Sequence, residues 1–252
     1  MGSGLHIVEH RGPPDAPLVV LVHGSLDRAA SFARVARRLP ELDVVAYDRR
    51  GYSRSRALEP RAETLDDHVA DLFSVLDGRE AVVVGHSLGG DVAMAAAARA
   101  PAQIPAVGAW EPPLPWLEWW PRRARAGADE DPAAFAEAFF RRIVGHEAWD
   151  RLPERTRAAR RAEGPALLAE ILALRTGAPP FDLAAFPVPL VVGRGGASLD
   201  HHRRAADAIA ALRPGTVVVE IEGAGHGAHR SHPAAFADFV RRAIAARPAR
   251  ER

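Results

Sequence analysis

Two short segments of this chain carry residues that together could attack a carbonyl group. Gly85-His86-Ser87-Leu88-Gly89 sets a serine between two glycines, in the G-x-S-x-G spacing of a nucleophile elbow. An apolar run precedes it and an alanine-rich helical stretch follows, so the serine falls where a strand becomes a helix. Such a turn holds the hydroxyl exposed, and its glycines avoid a Cβ colliding with strand or helix. A serine hydroxyl is a weak nucleophile and needs a base. "EGAGHGAHRSHP" offers His226 in a glycine-flanked loop just after the last apolar run, with His229 and His232 close by. The flanking glycines let this loop fold over the strand ends, which favours His226. His229 reads as a loop residue and His232 as a helix start. No regular element sets the geometry of the three histidines and no acidic ligand accompanies them, so no metal is expected.

Attack on a carbonyl creates an oxyanion that needs preorganised donors. The backbone N–H of Leu88, directly after the serine, is one candidate. "LVHGS" ends an earlier apolar run, and the N–H of Ser25 is the second. His23 is expected to order that loop rather than to move a proton.

These residues must be positioned by regular elements. Runs within Pro17–Gly24, Leu42–Asp48, Glu80–Ser87, Ile104–Trp110, Pro187–Gly193 and Gly215–Gly223 are short, β-branched and bounded by turn residues. They read as strands of a sheet covered on both faces, with Leu5–His10 as an edge strand. Helical stretches alternate with them at Ser31–Leu39, Thr64–Leu76, Leu88–Arg99, Leu199–Leu212 and Pro233–Ala246. This alternation predicts an α/β fold with a largely parallel sheet. Pro112–Phe186 breaks the pattern and holds no convincing strand. Within it, Asp131 reads as a helix N-cap, Pro132 as the first turn and Gly145 as the stop. Phe135, Phe139 and Ile143 share one face of that helix. Two further helices are expected, before Gly164 and up to Arg175. The division is therefore 1–111 and 187–252 for the core and 112–186 for an inserted helical cap.

His23-Gly24, the "YDRRGYSRS" turn (Tyr47–Ser55), Gly85-His86-Ser87-Leu88-Gly89-Gly90 and Gly225-His226 together resemble the α/β-hydrolase superfamily, specifically its cap-bearing serine hydrolases. The resemblance spans nearly the whole chain. It implies a mostly parallel sheet flanked by helices, with an all-helical cap after the sixth strand in the family's count. It also implies a triad in the chain order Ser, Asp or Glu, His, and no cofactor. A serine at the elbow argues against epoxide hydrolases and haloalkane dehalogenases, whose nucleophile is normally aspartate. The implied activity is cleavage of an ester-type bond of a small, largely apolar substrate through an acyl-enzyme on Ser87. Lactonase, thioesterase, carbon–carbon hydrolase and perhydrolase share this machinery. The alternative is a hydrolase-like ligand-binding protein or receptor with little turnover.

The sequence departs from the family at the acid. The resemblance places a carboxylate after the seventh strand, but "VVGRGGASLDHH" has Gly196 there. Two carboxylates could take its place. Asp200 follows closely, although Ser198 reads as an N-cap and puts Asp200 in a first helical turn, where an anion is favourable anyway. Glu111 lies just past Trp110, at a strand end on the same sheet edge as Ser87, and fits the chain order. Glu111 is preferred, with Asp200 as the alternative acid. A Ser–His pair working without an acid is the third possibility.

"AVGAWEPPLPWLEWWP" (Ala106–Pro121) holds four of the chain's five tryptophans. Trp116, Trp119 and Trp120 are candidates to line an apolar pocket under the cap. Arg122, Arg123 and Arg125 read as a solvated face. All 33 basic residues are arginine and balance 32 acidic ones, for a net charge of +1. Nothing in that balance argues for nucleic acid or a membrane surface as partner. There is no cysteine, which excludes disulfides and thiolate chemistry. No N-terminal stretch reads as a signal peptide. A cytoplasmic protein with a small-molecule substrate is expected, and monomer and homodimer stay open.

Overall fold

Every expected apolar run forms a strand in a computed structural model, which describes residues 4–121, 130–176 and 178–248. The strands are β1 (Ile7–His10), β2 (Leu18–Val22), β3 (Asp43–Tyr47), β4 (Val82–His86), β5 (Val107–Trp110), β6 (Leu190–Gly195) and β7 (Val217–Ile221). They form one sheet in the order β1-β3-β2-β4-β5-β6-β7, in which β1 alone runs antiparallel. The central strands are continuously apolar because both faces are covered: all of β4 and β5 is buried. Val20, Val22, Val83 and Ala109 face one apolar core, and Val19, Leu21, Val82 and Val84 face the other. At the edge, Val217 and Val218 of β7 stay partly exposed.

The helices are α1 (Ala33–Ala36), α2 (Leu65–Leu76), α3 (Leu88–Arg99), α4 (Pro132–Val144), α5 (His146–Asp150), α6 (Glu154–Ala162), α7 (Gly164–Thr176), α8 (Asp200–Leu212), α9 (Ala228–Ser231) and α10 (Pro233–Ala245). Helices α2, α3 and α8 supply the first core, and α1 and α10 the second. Thr64 and Asp67 form a reciprocal capping box at the start of α2. None of these helices is long and apolar enough to cross a membrane.

Two expectations are corrected. Ser31–Leu39 is not one helix: a 3₁₀ turn (Ala29–Phe32) leads into the single turn of α1. Its end tightens because Arg38 and Leu39 donate three residues back, to Val35 and Ala36, and Pro40 keeps Leu39 out of a continuing helix. Ser198 does not cap α8. Leu199 takes the N-cap position without a side-chain bond, and Ser198 Oγ lies buried. The helical insertion follows β5, the fifth strand of this sheet and the sixth in the family's count.

Between β5 and β6 the described residues hold helices α4–α7 and no strand. Asp131 caps α4, accepting from Ala133 N at 3.0 Å, and Gly145 ends it with φ +92°. The short α5 was not expected. Phe135, Phe139 and Phe140 pack on Leu26, Tyr52 and Leu167, joining the insertion to the loops after β2 and β3. Arg122, Arg123 and Arg125 lie outside the described residues.

Candidate active site

Strand register sets the site. His86 pairs with Trp110, and Trp110 with Gly193, so β4 and β5 end level while β6 runs two residues further, to Gly195. Ser87 and Glu111 leave adjacent strands, which lie about 5 Å apart across a sheet. The ladder continues one step into the loops: Ser87 N donates to Trp110 O at 2.8 Å, and Glu111 N to Gly193 O at 3.0 Å.

Both residues sit in left-handed backbone, Ser87 with φ 53° and Glu111 with φ 46°. For non-glycine residues each such conformation costs about 1–3 kcal/mol and persists only where the surroundings impose it. At the elbow, α3 starts so close to the sheet that a Cβ on Gly89 would lie 2.2 Å from Val22 O. A Cβ on Gly24 would lie 2.8 Å from Ser87 Cβ, which shows how tightly the loop after β2 meets the serine.

Glu111 is fully buried. Its Oε2 accepts from His226 Nδ1 at 2.7 Å, and its Oε1 from Gly195 N at 2.7 Å. The proton on Nδ1 leaves Nε2 of a neutral His226 as a proton acceptor. The His226 carbonyl accepts from His86 Nε2 at 3.0 Å and from Trp110 Nε1 at 3.1 Å. His202 stacks on its ring at 4.2 Å between centroids. The loop is therefore held at its backbone and at its ring.

Asp200 takes no part in this contact. Its side chain is 93% exposed and pairs with Arg203. Gly196, where the resemblance put the acid, has room for a Cβ. The carboxylate comes instead from the neighbouring strand end, and the Gly195 N–H satisfies its second oxygen.

Ser25, Ser87, Leu88 and His226 line one cavity of about 120 Å³. A second cavity, of about 470 Å³, shares Ser25, Ser87 and His226. Trp120 lines the first, with Pro113, Phe139, Ile143 and Leu174. Trp116 and Trp119 line neither. Trp116 packs edge-on against Phe181, and Trp119 lies under the Arg204 guanidinium, so both are spent on packing. His23 orders its loop as expected. Nδ1 donates to Gly24 O at 2.6 Å and Nε2 accepts from Arg49 N at 2.8 Å. Burial, with Arg49 nearby, pushes its pKa down to about 4 and keeps it neutral. His229 lies buried in α9 against Asp27, and His232 is the N-cap of α10.

One feature of the site was missed. Glu170 of α7, buried beside the first cavity, accepts from Ser25 Oγ at 2.6 Å, Tyr52 Oη at 2.6 Å and Arg49 Nη1 at 2.5 Å. His68 Nε2 is 3.0 Å away. The signal was present as the lone carboxylate in the apolar run "ALLAEILAL". Nearby, Arg160 of α6 donates to Leu26 O at 2.7 Å and pairs with Glu163. The insertion thus grips the loop that carries Ser25. Burial raises the Glu170 pKa, but Arg49 and His68 outweigh it and hold the carboxyl below its ordinary range. Its stabilisation is therefore complete above that range and is lost as pH falls below it. Glu170→Gln, leaving Arg49 buried and unpaired, is expected to cost about 3–5 kcal/mol in urea unfolding at pH 7. The difference from wild type should shrink in acid. A loss below about 1 kcal/mol, the level of an exposed pair, would rule this out.

Comparison with known proteins bears on the family and the fold. Lipase LipV of Mycobacterium tuberculosis is 37% identical over 108 residues, covering 42% of this chain and 41% of that protein. A monoacylglycerol lipase of Mycolicibacterium smegmatis is 32% identical over 118 residues, covering 42% of each. The chain thus spans less than half the length of these curated relatives. Among solved structures, a hydrolase from Pseudomonas aeruginosa superposes with a TM-score of 0.75 at 23% identity, covering 97% of this chain and 96% of that one. The enol-lactonase from Burkholderia xenovorans gives 0.71 at 22%, covering 96% of each. These two likenesses concern the fold. The model of the "Alpha/beta hydrolase family" matches residues 19–239, from β2 into α10 and across Ser87, Glu111 and His226, and this chain belongs to that family.

Proposed function

We propose that this hydrolase cleaves an ester-type bond of a small, largely apolar substrate through an acyl-enzyme on Ser87. The observation that carries the reading is the 2.7 Å contact of Glu111 with His226 Nδ1, beside a cavity that His226 shares with Ser87. His226 Nε2 takes the proton from Ser87 Oγ as the oxygen attacks the carbonyl carbon. The backbone N–H groups of Ser25 and Leu88 receive the oxyanion, and losing one such donor costs about 10²–10³ in turnover. Collapse expels the alcohol, which takes the proton from His226. Water, deprotonated by the same nitrogen, then releases the acid and frees Ser87. Glu111 holds the imidazole in the required tautomer and stabilises the imidazolium.

Helices α4–α7 act as the cap in this reading, with Phe139, Ile143 and Leu174 as the apolar wall facing the serine. The similarity to two lipases supports the ester class. A glycine at position 196, where the family's acid is expected, favours the ligand-binding alternative, and the Glu111 contact with His226 counts against it. A fluorophosphonate probe is expected to label Ser87 at one equivalent, and the unlabelled protein to turn over a short-chain p-nitrophenyl ester many times. Stoichiometric ester binding without turnover, or labelling elsewhere, would sink the proposal.

A further inference from the structure

Three residues beside the proposed triad form a cluster of which the hydrolytic reading uses only one contact, the bond from His86 Nε2 to the His226 carbonyl. Asp27 follows β2, His86 ends β4, and His229 lies in α9. A carboxylate oxygen and one nitrogen of each ring lie within 4.8 Å of one another. His86 and His229 are buried, and their rings are 4.4 Å apart. His229 Nε2 meets Asp27 Oδ2 at 2.9 Å, and Ser31 Oγ donates to the same oxygen at 3.1 Å. Nδ1 of each histidine is buried with no hydrogen-bond partner among the described residues. All three residues line the larger cavity.

We infer that Asp27, His86 and His229 form a binding site for a divalent transition metal of the zinc type, open to the cavity that also holds Ser87. Two imidazoles and one carboxylate suit zinc, cobalt or nickel better than magnesium or calcium, which take oxygen ligands. Three protein ligands with the fourth position facing a cavity is the arrangement of an open zinc site. Tetrahedral zinc holds its ligand atoms about 3.4 Å apart, so the side chains must close by no more than about 1.5 Å. The ligands have suitable charge states. Burial raises the Asp27 pKa, but the His229 hydrogen bond and charge outweigh it and keep the carboxylate ionised. Burial, with His229 and His226 nearby, pushes the His86 pKa well down and keeps that ring neutral. A metal between Asp27 and His229 displaces the proton that joins them, and the neutral ring keeps its single proton on Nδ1. The metal's open position then faces the space a substrate would use beside Ser87. This site does not depend on whether Ser87 turns over esters.

Isothermal titration of the whole chain with zinc chloride tests the inference. One equivalent is expected to bind, with magnesium chloride giving no heat. His229→Gln and Asp27→Asn, each checked for folding by circular dichroism, should weaken binding by at least about 10–100-fold, since even outer-shell changes cost that much. A second cluster, Glu111, His202 and His226, also brings three ligand atoms together, so His202→Gln is the control and should bind as wild type does. X-ray absorption of the zinc-loaded wild type should show two imidazoles, a readout that needs no variant to fold. Absence of binding to the wild type, fewer than two imidazoles, full binding by both variants, or loss on His202→Gln instead would each overturn the site.

Discussion

Replacing Ser87 by alanine is expected to lower turnover of an activated ester by about 10⁶ while leaving the fold in place. The change removes one oxygen atom and little else. The backbone that strains Ser87 is imposed by Gly89 against Val22, by the Gly24 loop, and by the ladder bond to Trp110. None of these contacts involves the hydroxyl, and alanine is no more strained than serine at φ 53°. Thermal unfolding should therefore move little. Residual catalysis of about 10³–10⁴ over water should remain, because cavity and oxyanion donors persist without a nucleophile. Fluorophosphonate labelling should vanish together with turnover. The measurement is steady-state kcat on variant and wild type purified side by side. A fall of less than about tenfold would mean that another group makes the covalent bond, and would remove Ser87 from the mechanism.

Strand-level features were legible in the sequence because they depend on local pattern. The β-branched runs forecast all seven strands, since a strand buried on both faces must be apolar throughout. Asp131, Pro132 and Gly145 bounded α4 correctly because capping is chemistry of a few adjacent residues. What depended on contacts across the molecule was harder to read. Glu170 meets Ser25, Tyr52, Arg49 and His68 from another element of the fold, and no spacing in the chain encodes that convergence. Trp116 and Trp119 share the tryptophan cluster's composition with Trp120, but the turns after β5 leave Trp120 alone of the three on the cavity. The Asp27–His229 pair was equally hidden. An acidic partner for the histidines was sought close by in sequence and lies 202 residues away.

Glu111→Gln is expected to lower turnover by about 10⁴, as the amide analogue of a triad acid does, with stability nearly unchanged. The argument rests on the two hydrogen bonds that the carboxylate accepts, from Gly195 N and from His226 Nδ1. Glutamine can satisfy the first with its carbonyl oxygen. Its NH₂ group then faces Nδ1 and can only donate. The imidazole must move its proton to Nε2 to accept that bond, and Nε2 ceases to be a base toward Ser87. The loss should thus appear in kcat and in the rate of fluorophosphonate labelling, with little change in KM. Glu111→Asp separates geometry from charge. One methylene shorter, it cannot reach Gly195 and His226 from the same backbone, so an intermediate loss is expected. Asp200→Asn should leave kcat within about threefold, because an exposed pair of this kind contributes little. If Asp200→Asn proved severe and Glu111→Gln mild, the contact at His226 would be structural and the acid would lie elsewhere. The expected pattern would instead place the acid one strand away from its usual position. That displacement is tolerated because Glu111 leaves β5 alongside β6, bonded to Gly193 O through its backbone and to Gly195 N through its carboxylate, so a glutamate there can reach the histidine that an aspartate after β6 would otherwise hold.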